Sequence, residues 1–340
     1  MCPAASVREV LRGSNHASLA RPLSRRGLLA GALALALAWG PASSSQARHA
    51  RRHTHRAASP VEFGCPILPP NDAVNQEIAR APVNPRSADY VASIGLGAHL
   101  HPDFGTNPTY GIPYTVVGPR QPKVPISFTL YGSESNPGPY PVPPRAPIEG
   151  GGAQGAGDKP VLVVQEGSCR LYEMYLANRS GEGWDAGSGA VFNLRSSALR
   201  PEGFTSADAA GLPIFPLLAR YPEARAGRID HALRVTVPRT QRGYIHPAVH
   251  YASSSGDANL PPMGLRLRLK ASYSLAGFRG EARVILEALK RYGLIVADNG
   301  SPWYITGAPD TRWNDADLEQ LKRVPGSEFE AVESGPVLHG

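Results

Sequence analysis

The stretch 265–270, Leu-Arg-Leu-Arg-Leu-Lys, alternates apolar and basic residues. Because successive side chains of a strand point to opposite faces, this period of two predicts a half-exposed β-strand. Many strands with few helical patterns predict a mainly β fold, a β-sandwich or jelly-roll-like arrangement with one or two peripheral helices. Further short β-branched, aromatic or alternating runs lie at 90–96, 114–117, 124–131, 161–165, 170–177, 190–194, 232–238, 294–297 and 303–306.

Helical patterns occur in three segments. The segment 278–292 places apolar residues near helical spacing, and Gly293 follows it as a helix stop. The segment 314–323 begins at Asn314, a favoured N-cap residue, and has acidic residues in its first turn. A third, short helix with a threonine or serine cap is predicted over 205–210.

A twin-arginine export signal is predicted over residues 1–47. The stretch 24–29 is Ser-Arg-Arg-Gly-Leu-Leu, an apolar run continues to Trp39, and the small-residue site Ser-Gln-Ala follows at 45–47. This order is typical of a signal peptide that is removed after export. Because the apolar run is too short for an anchored membrane helix, we expect a secreted or periplasmic protein without stable membrane insertion.

The rest of the chain is predicted to comprise a disordered basic linker, 48–62, and a single β-rich domain, 63–335. The whole chain has 35 basic and 28 acidic residues. Residues 1–47 hold five arginines and one glutamate, which leaves 30 basic and 27 acidic residues. Four of the remaining arginines lie in the linker, so the domain is nearly neutral. A nearly neutral domain predicts no nucleic-acid partner.

Two cysteines remain after removal of the leader, which contains Cys2. In an oxidising compartment, Cys65 and Cys169 are expected to form a disulfide that joins the proline-rich segment near Cys65 to the core. Two separately buried thiols are the alternative. A two-cysteine zinc site lacks the usual Cys-x-x-Cys spacing.

A His-x-His pattern offers candidate metal ligands. His99 and His101 lie two residues apart after an apolar run, so on a strand both would face the same way, and Asp103 follows as a third ligand. His246 and His250 are candidates to complete such a site. The alternative is a set of hydrogen-bonded or substrate-facing histidines without metal.

Three carboxylates are candidate catalytic groups. Glu149 lies in a glycine-rich loop, Glu173 in a strand pattern, and Asp208 in the stretch Thr-Ser-Ala-Asp-Ala-Ala-Gly at 205–211. Glycoside cleavage needs two facing carboxyl groups, one that protonates the leaving oxygen and one that acts as base or nucleophile. The structural alternatives are a helix-N-terminal carboxylate for Asp208 and a solvated strand residue for Glu173.

Three ring-bearing residues, His250, Tyr251 and Trp303, are candidate substrate-binding residues, because rings stack on the apolar faces of sugars. Such side chains also fill protein cores. Other chemistries lack their motifs: the glycines at 150–152 are not followed by Gly-Lys-Ser/Thr, and no Gly-x-Ser-x-Gly elbow occurs.

Several segments resemble a widespread group of secreted bacterial proteins of uncharacterised function. The matching segments are 65–67, 90–95, 99–105, 111–114, 146–151, 171–173, 198–213, 262–264 and 297–301. The resemblance spans nearly the whole mature chain, which implies one integral domain, and it transfers no catalytic residues.

Together these features predict a secreted carbohydrate-active enzyme that cleaves glycosidic bonds of a polysaccharide or cell-wall glycan with paired carboxylates. One alternative is a non-catalytic module that binds a glycan or another surface. The other is a metal-dependent hydrolase or oxidase that holds one divalent metal ion at the His-x-His pattern.

Overall fold

Short strands form most of the framework in the computed structural model, which describes residues 59–152 and 157–339. The strands are β1 (Val61–Glu62), β2 (Cys65–Pro66), β3 (His101–Asp103), β4 (Tyr114–Val117), β5 (Ile126–Phe128), β6 (Val161–Gln165), β7 (Arg170–Tyr175), β8 (Asn178–Ser180), β9 (Gly183–Ala186), β10 (Ser188–Asn193), β11 (Leu233–Val237), β12 (Arg266–Leu269), β13 (Leu294–Asn299), β14 (Tyr304–Thr306) and β15 (Phe329–Ala331). The α-helices are α1 (Ser87–Ile94), α2 (Tyr221–Arg225), α3 (Gly280–Arg291) and α4 (Asp315–Leu318). The prediction of a mainly β chain with few helices is confirmed.

The largest sheet has six strands in the order β15-β12-β13-β11-β14-β3. It is mixed, because β11 runs parallel to β13 and β14 runs parallel to β3, while the other neighbours are antiparallel. A second sheet has the order β10-β7-β6-β4, and a third has the order β5-β9-β8. The strands β1 and β2 form a two-stranded ribbon.

The four-stranded sheet has a buried core on each face. Leu162 and Leu171 belong to the main hydrophobic core, which they share with the six-stranded sheet. Val163 and Met174 belong to a smaller core together with Trp184 of the third sheet. Because successive residues of a strand face opposite ways, a sheet covered on both sides appears as a continuous apolar run, as in β6.

The clearest helical prediction is confirmed. Helix α3 buries Ile285 and Leu289, which lie four residues apart, and ends before Gly293. Gly293 has φ +72°, and a Cβ there would lie 2.1 Å from the carbonyl oxygen of Leu267, so only glycine fits. Helix α4 is shorter than predicted and continues as a 3-10 turn, but Asn314 caps it as expected by accepting a hydrogen bond from Ala316.

Two local predictions are wrong. The run 90–96 was expected to form a strand, but it lies mostly in α1, which buries Tyr90, Val91 and Ile94 at helical spacing. The segment 205–210 forms turns rather than a helix. Here side-chain oxygens of Ser206 and Asp208 accept hydrogen bonds from the backbone and replace the bonds of a helix.

The prediction of a half-exposed strand at 265–270 is also wrong. Strand β12 is buried along its length, including Arg266 and Arg268. The segment 63–85, here called the strap, covers both arginines and accepts their hydrogen bonds. Arg266 donates to the carbonyl of Ala73 at 2.6 Å, and Arg268 donates to the carbonyl of Ile78 at 2.6 Å.

The predicted disulfide is confirmed. Cys65 in β2 is bonded to Cys169 in the turn before β7, with their Cα atoms 5.4 Å apart. The bond joins the strap to the four-stranded sheet across 104 residues of sequence. The predicted leader and residues 48–58 of the predicted linker lie outside the described residues, whereas Val61 and Glu62 of that linker form β1 and pair with β2. Within the described part of the chain, no helix is long and apolar enough to cross a membrane.

Candidate functional site

One face of the six-stranded sheet carries polar side chains where β13, β11, β14 and β3 lie side by side. Residues that pair across neighbouring strands point to the same face of a sheet. The pairs are Thr236 with Asp298, Thr236 with Tyr304, Tyr304 with His101, and Thr306 with Asp103.

A β-bulge in β13 determines that Asp298 lies on this face. Val235 pairs with Val296, but the next residue, Thr236, pairs with Asp298, so Ala297 is an extra residue. Because side chains alternate along a strand, the extra residue moves Asp298 to the face of Thr236. It also frees the carbonyl of Ala297, which accepts a hydrogen bond from the amide of Ala210.

Arg234 of β11 lies at the centre of the polar face and is only 6% exposed. Its Nε donates to Asp208 at 2.7 Å, its Nη1 to Thr306 at 2.9 Å, and its Nη2 to Asp298 at 3.1 Å. Burial alone would lower the pKa of Arg234, but the charges of Asp208 and Asp298 raise it overall. The guanidinium is therefore a permanent buried cation that holds two carboxylates in place.

Asp208 is fully buried and orients this arginine. One carboxylate oxygen accepts the bond from Arg234, and the other accepts a bond from the amide of Ala210 at 3.0 Å. Ser206 completes the turn by accepting a bond from the amide of Asp208. The structure therefore places Asp208 next to the site but behind Arg234, with 1% exposure.

Asp298 is the accessible partner of the pair, with a side chain that is 21% exposed. Besides Arg234, it accepts a hydrogen bond from the amide of Asn299 at 2.8 Å. Burial raises the pKa of Asp298 to about 7; Asp208 and Asp158 contribute in the same direction, whereas Arg234 opposes the shift. A carboxyl group in this state can hold or release a proton near neutral pH.

Glu149 faces the same region from a glycine-rich turn. The three residues after it, Gly150 to Gly152, have φ between +71° and +108°, a conformation that favours glycine. Burial raises the pKa of Glu149 to about 7; Arg234 opposes this shift, and Asp158 and Asp103 increase it. These mutual electrostatic effects join Asp103, Glu149, Asp158, Asp208 and Asp298 around Arg234 into one carboxylate cluster.

Glu173 has a structural position. It is 0% exposed and accepts hydrogen bonds from the amides of Ile214 and Phe215 at 2.9 Å each. Burial raises the pKa of Glu173 to about 8. Its position corrects both sequence interpretations, because a fully buried carboxyl is neither a solvated strand residue nor a group that a polysaccharide can reach.

The predicted metal ligands are held in other contacts. The ring of His101 stacks on Tyr304 with centroids 4.0 Å apart, and its Nε2 lies 2.7 Å from the hydroxyl of Tyr110. The hydroxyl of Tyr110 also donates to the carbonyl of Pro102 at 3.2 Å. Burial raises the pKa of Asp103, and the interaction with Tyr110 opposes that shift. His99 is exposed before β3 and pairs through its backbone with Pro325. No group of three or more possible ligands is arranged for a metal ion in the described residues, which corrects the prediction of a three-ligand site.

The three predicted sugar-binding residues differ in position. Trp303 is 0% exposed, stacks on Phe329 and donates to the carbonyl of Gly95, so its assignment to substrate binding is corrected. His250 and Tyr251 are half-buried and stack with centroids 6.0 Å apart. His250 lies 2.7 Å from the carbonyl of Ala209, next to the turn that holds Asp208. These two rings therefore remain candidates beside the cluster.

Arg234, Asp298 and Asp158 were missed by sequence reasoning. Arg234 is the one charged residue of the strand Leu-Arg-Val-Thr-Val, which is a usable signal, because an arginine is rarely buried unless it is paired. Asp298 follows a buried run in the stretch Ala-Asp-Asn-Gly-Ser at 297–301. Neither signal identifies a partner without the fold.

A cavity of about 530 Å³ lies beside the Glu149 turn, with Ile148, Gly151, Thr109, Asn178 and Arg179 in its wall.

No protein-family model matches the chain, and neither a curated protein nor a solved structure is significantly similar to it. The resemblance to secreted bacterial proteins therefore stays a prediction.

Proposed function

We propose that the protein cleaves glycosidic bonds of a polysaccharide or cell-wall glycan, with Glu149 and Asp298 as the carboxyl pair. The observation that supports this most strongly is the presence of two accessible carboxyl groups whose pKa values are raised to about 7 around one buried arginine. Acid–base cleavage of a glycosidic bond requires one protonated and one ionised carboxyl group in one site.

In this proposal Glu149 is the acid. Its carboxyl group interacts electrostatically with Arg234 and Asp103 of the sheet, and burial is the main cause of its raised pKa, so the protonated form is favoured. The protonated carboxyl donates its proton to the oxygen of the leaving sugar as the glycosidic bond breaks.

Asp298 is the ionised partner. Hydrogen bonds from Arg234 and from the amide of Asn299 stabilise its charged form. The carboxylate either activates water or attacks the anomeric carbon directly, and the distance between the two carboxyl groups during the reaction decides which. Asp208 acts as a positioning residue through Arg234.

The disulfide supports an oxidising compartment for this activity. We therefore extend the proposal to export: the twin-arginine leader delivers the folded chain outside the cytoplasm. A glycan substrate of the cell surface or the medium is consistent with that location.

The test is the release of new reducing ends from a panel of purified polysaccharides and cell-wall glycans. Glu149→Gln and Asp298→Asn should each lower kcat by about 10²–10⁴-fold, the usual contribution of a general acid or base. Glu182→Gln removes an exposed acid from the turn between β8 and β9 and should leave kcat unchanged. Equal turnover by Glu149→Gln and the unmodified chain would contradict the proposal, and binding without any turnover would favour a glycan-binding module.

The pH profile gives a second test. Because both carboxyl groups titrate near pH 7 and influence each other, the rate should follow a narrow bell with its maximum near neutrality. The rate falls at low pH as Asp298 becomes protonated, and at high pH as Glu149 loses its proton. A plateau from pH 5 to pH 9 would contradict these roles.

A further inference from the structure

The cavity beside the Glu149 turn carries one cation. Arg179 of β8 is exposed in its wall, and no acidic side chain pairs with it among residues 59–152 and 157–339. Its guanidinium carbon lies 5.5 Å from the ring centroid of Trp184, which is 4% exposed. This cation–π contact holds the arginine stem against the sheet while leaving its N–H groups available to a ligand.

The rest of the wall suits a sugar. Pro147 and Ile148 supply apolar surface for the C–H face of a pyranose ring. Thr109 and Asn178 supply a hydroxyl and an amide that can bind sugar hydroxyls. A volume of about 530 Å³ falls in the range of small-molecule sites.

The carboxylate cluster and the cavity beside the Glu149 turn carry opposite charges. Five carboxyl groups surround a single arginine in the carboxylate cluster, so an anionic group on a substrate is repelled there. Arg179, in the wall of the cavity beside the Glu149 turn, attracts the same group. This distribution of charge therefore favours a substrate that places its anionic group at Arg179 and its uncharged glycosidic linkage at Glu149.

We propose that this cavity is a subsite for a carboxylated sugar and that Arg179 binds the carboxylate. The inference rests on the proposed glycan cleavage, because it places the carboxylated unit next to the bond that Glu149 would protonate. The planar guanidinium matches a carboxylate with two parallel hydrogen bonds. Two kinds of sugar share this chemistry: uronic acids and the lactyl-ether amino sugars of cell walls.

The experiment measures binding by titration calorimetry to the full chain carrying Glu149→Gln, so that turnover does not consume the ligand. The probes are a uronic-acid hexasaccharide, the same hexasaccharide with its carboxyl groups reduced to alcohols, and a cell-wall oligosaccharide with lactyl carboxylates. Whichever carboxylated probe binds more tightly identifies the source of the carboxylate. Reduction of the carboxyl groups should weaken binding about tenfold or more, as expected for lost charge-assisted hydrogen bonds.

Matched substitutions assign the effect to one residue. Arg179→Gln should weaken binding of the carboxylated probe about tenfold and leave binding of the reduced probe unchanged. Arg179→Lys should have an intermediate affinity for the carboxylated probe, because a lysine keeps the positive charge but cannot donate two parallel hydrogen bonds. Arg80→Gln removes an exposed arginine of the strap and should change neither. Since Arg179 is exposed, these variants should fold as the unmodified chain does, which thermal unfolding verifies.

Failure of this inference differs from failure of the proposed function. Equal binding of the carboxylated and reduced probes, or no binding of any carboxylated probe at millimolar concentration, overturns the subsite. Cleavage of a carboxylated glycan with a KM that Arg179→Gln leaves unchanged overturns the subsite but upholds glycan cleavage. Carboxylate-dependent binding without cleavage of any probe by the unmodified chain upholds the subsite and overturns the enzymatic role.

Discussion

Arg234 and Arg266 stand in one cross-strand row of the six-stranded sheet, on either side of Ile295, and both are 6% exposed. Arg266 donates to backbone carbonyls of Ala73 and Tyr292, and burial lowers its pKa to about 10. Arg234 instead donates to two carboxylates that raise its pKa. Two equally buried arginines in one row of the sheet therefore have different roles. Arg266 binds neutral carbonyl groups and fixes the strap, whereas Arg234 binds carboxylates and forms the centre of the carboxylate cluster.

The largest expected effect concerns the buried ion cluster. Arg234→Met leaves Asp208 buried without its cation and should lower the free energy of unfolding by about 3–5 kcal/mol. Denaturant unfolding measures this. The double variant Arg234→Met with Asp208→Asn should recover part of the loss because the uncompensated charge is gone. If Arg234→Met lowers the free energy of unfolding no more than Arg266→Met does, the proposed difference between the two arginines is contradicted.

The next effect concerns the strap. Replacement of both Cys65 and Cys169 by alanine should lower the free energy of unfolding by about 2–4 kcal/mol, because the unfolded chain regains the freedom of a long loop. Hydrogen exchange should show the loss of protection first at the amide of Ile78, which bonds to Arg291, and later in β11. Equal loss at both places would show that strap and site form one cooperative unit.

A smaller effect is expected for Arg266→Met. It leaves carbonyls of the strap without donors but no unpaired charge, so the free energy of unfolding should fall by about 1–3 kcal/mol. Its pH dependence should match that of the unmodified chain between pH 5 and pH 8. A changed slope in that range would indicate that Arg266 interacts electrostatically with the carboxylate cluster.

The smallest effect concerns Asp158, an exposed member of the cluster. Its charge raises the pKa of Glu149, so Asp158→Asn lowers that pKa and moves the alkaline limb of the rate profile to lower pH. The expected shift is about 0.3–0.5 pH unit at low ionic strength and less at high salt. Asp257→Asn, a matched exposed acid, should not move the limb. A shift to higher pH would contradict the arrangement.

The strand-rich fold and the glycine-rich turn at Glu149 were predictable from the sequence because both depend on local patterns. The alternation of apolar and polar residues that indicates a strand needs only six residues, as at 265–270, and the consecutive glycines at 150–152 indicate a turn beside Glu149. The sequence did not predict that β12 is buried, since the covering strap lies about 190 residues away in the chain. Trp303 was misassigned for the same reason, because a buried and an exposed aromatic residue are indistinguishable without their neighbours.

Arg234 and Asp298 were missed because their pairing depends on tertiary structure. The two residues lie 64 positions apart, and strand periodicity alone does not show which face Asp298 occupies. Only the pairing register, with its additional residue, determines that face. Helix α1 was missed because Tyr90, Val91 and Ile94 are common in strands, and packing against β15 decided the outcome.

The extra residue at Ala297 links the strand that carries Asp298 to the turn that carries Asp208. In a chain without Ala297, Asp298 would follow Val296 directly and would still pair with Thr236, so its carboxylate would keep the same face of the sheet. Such a chain would lack the carbonyl that accepts the hydrogen bond from the amide of Ala210. Loss of a single codon, with no substitution at all, would therefore leave every ionisable group of the site in place while removing one support of the turn that orients its central cation.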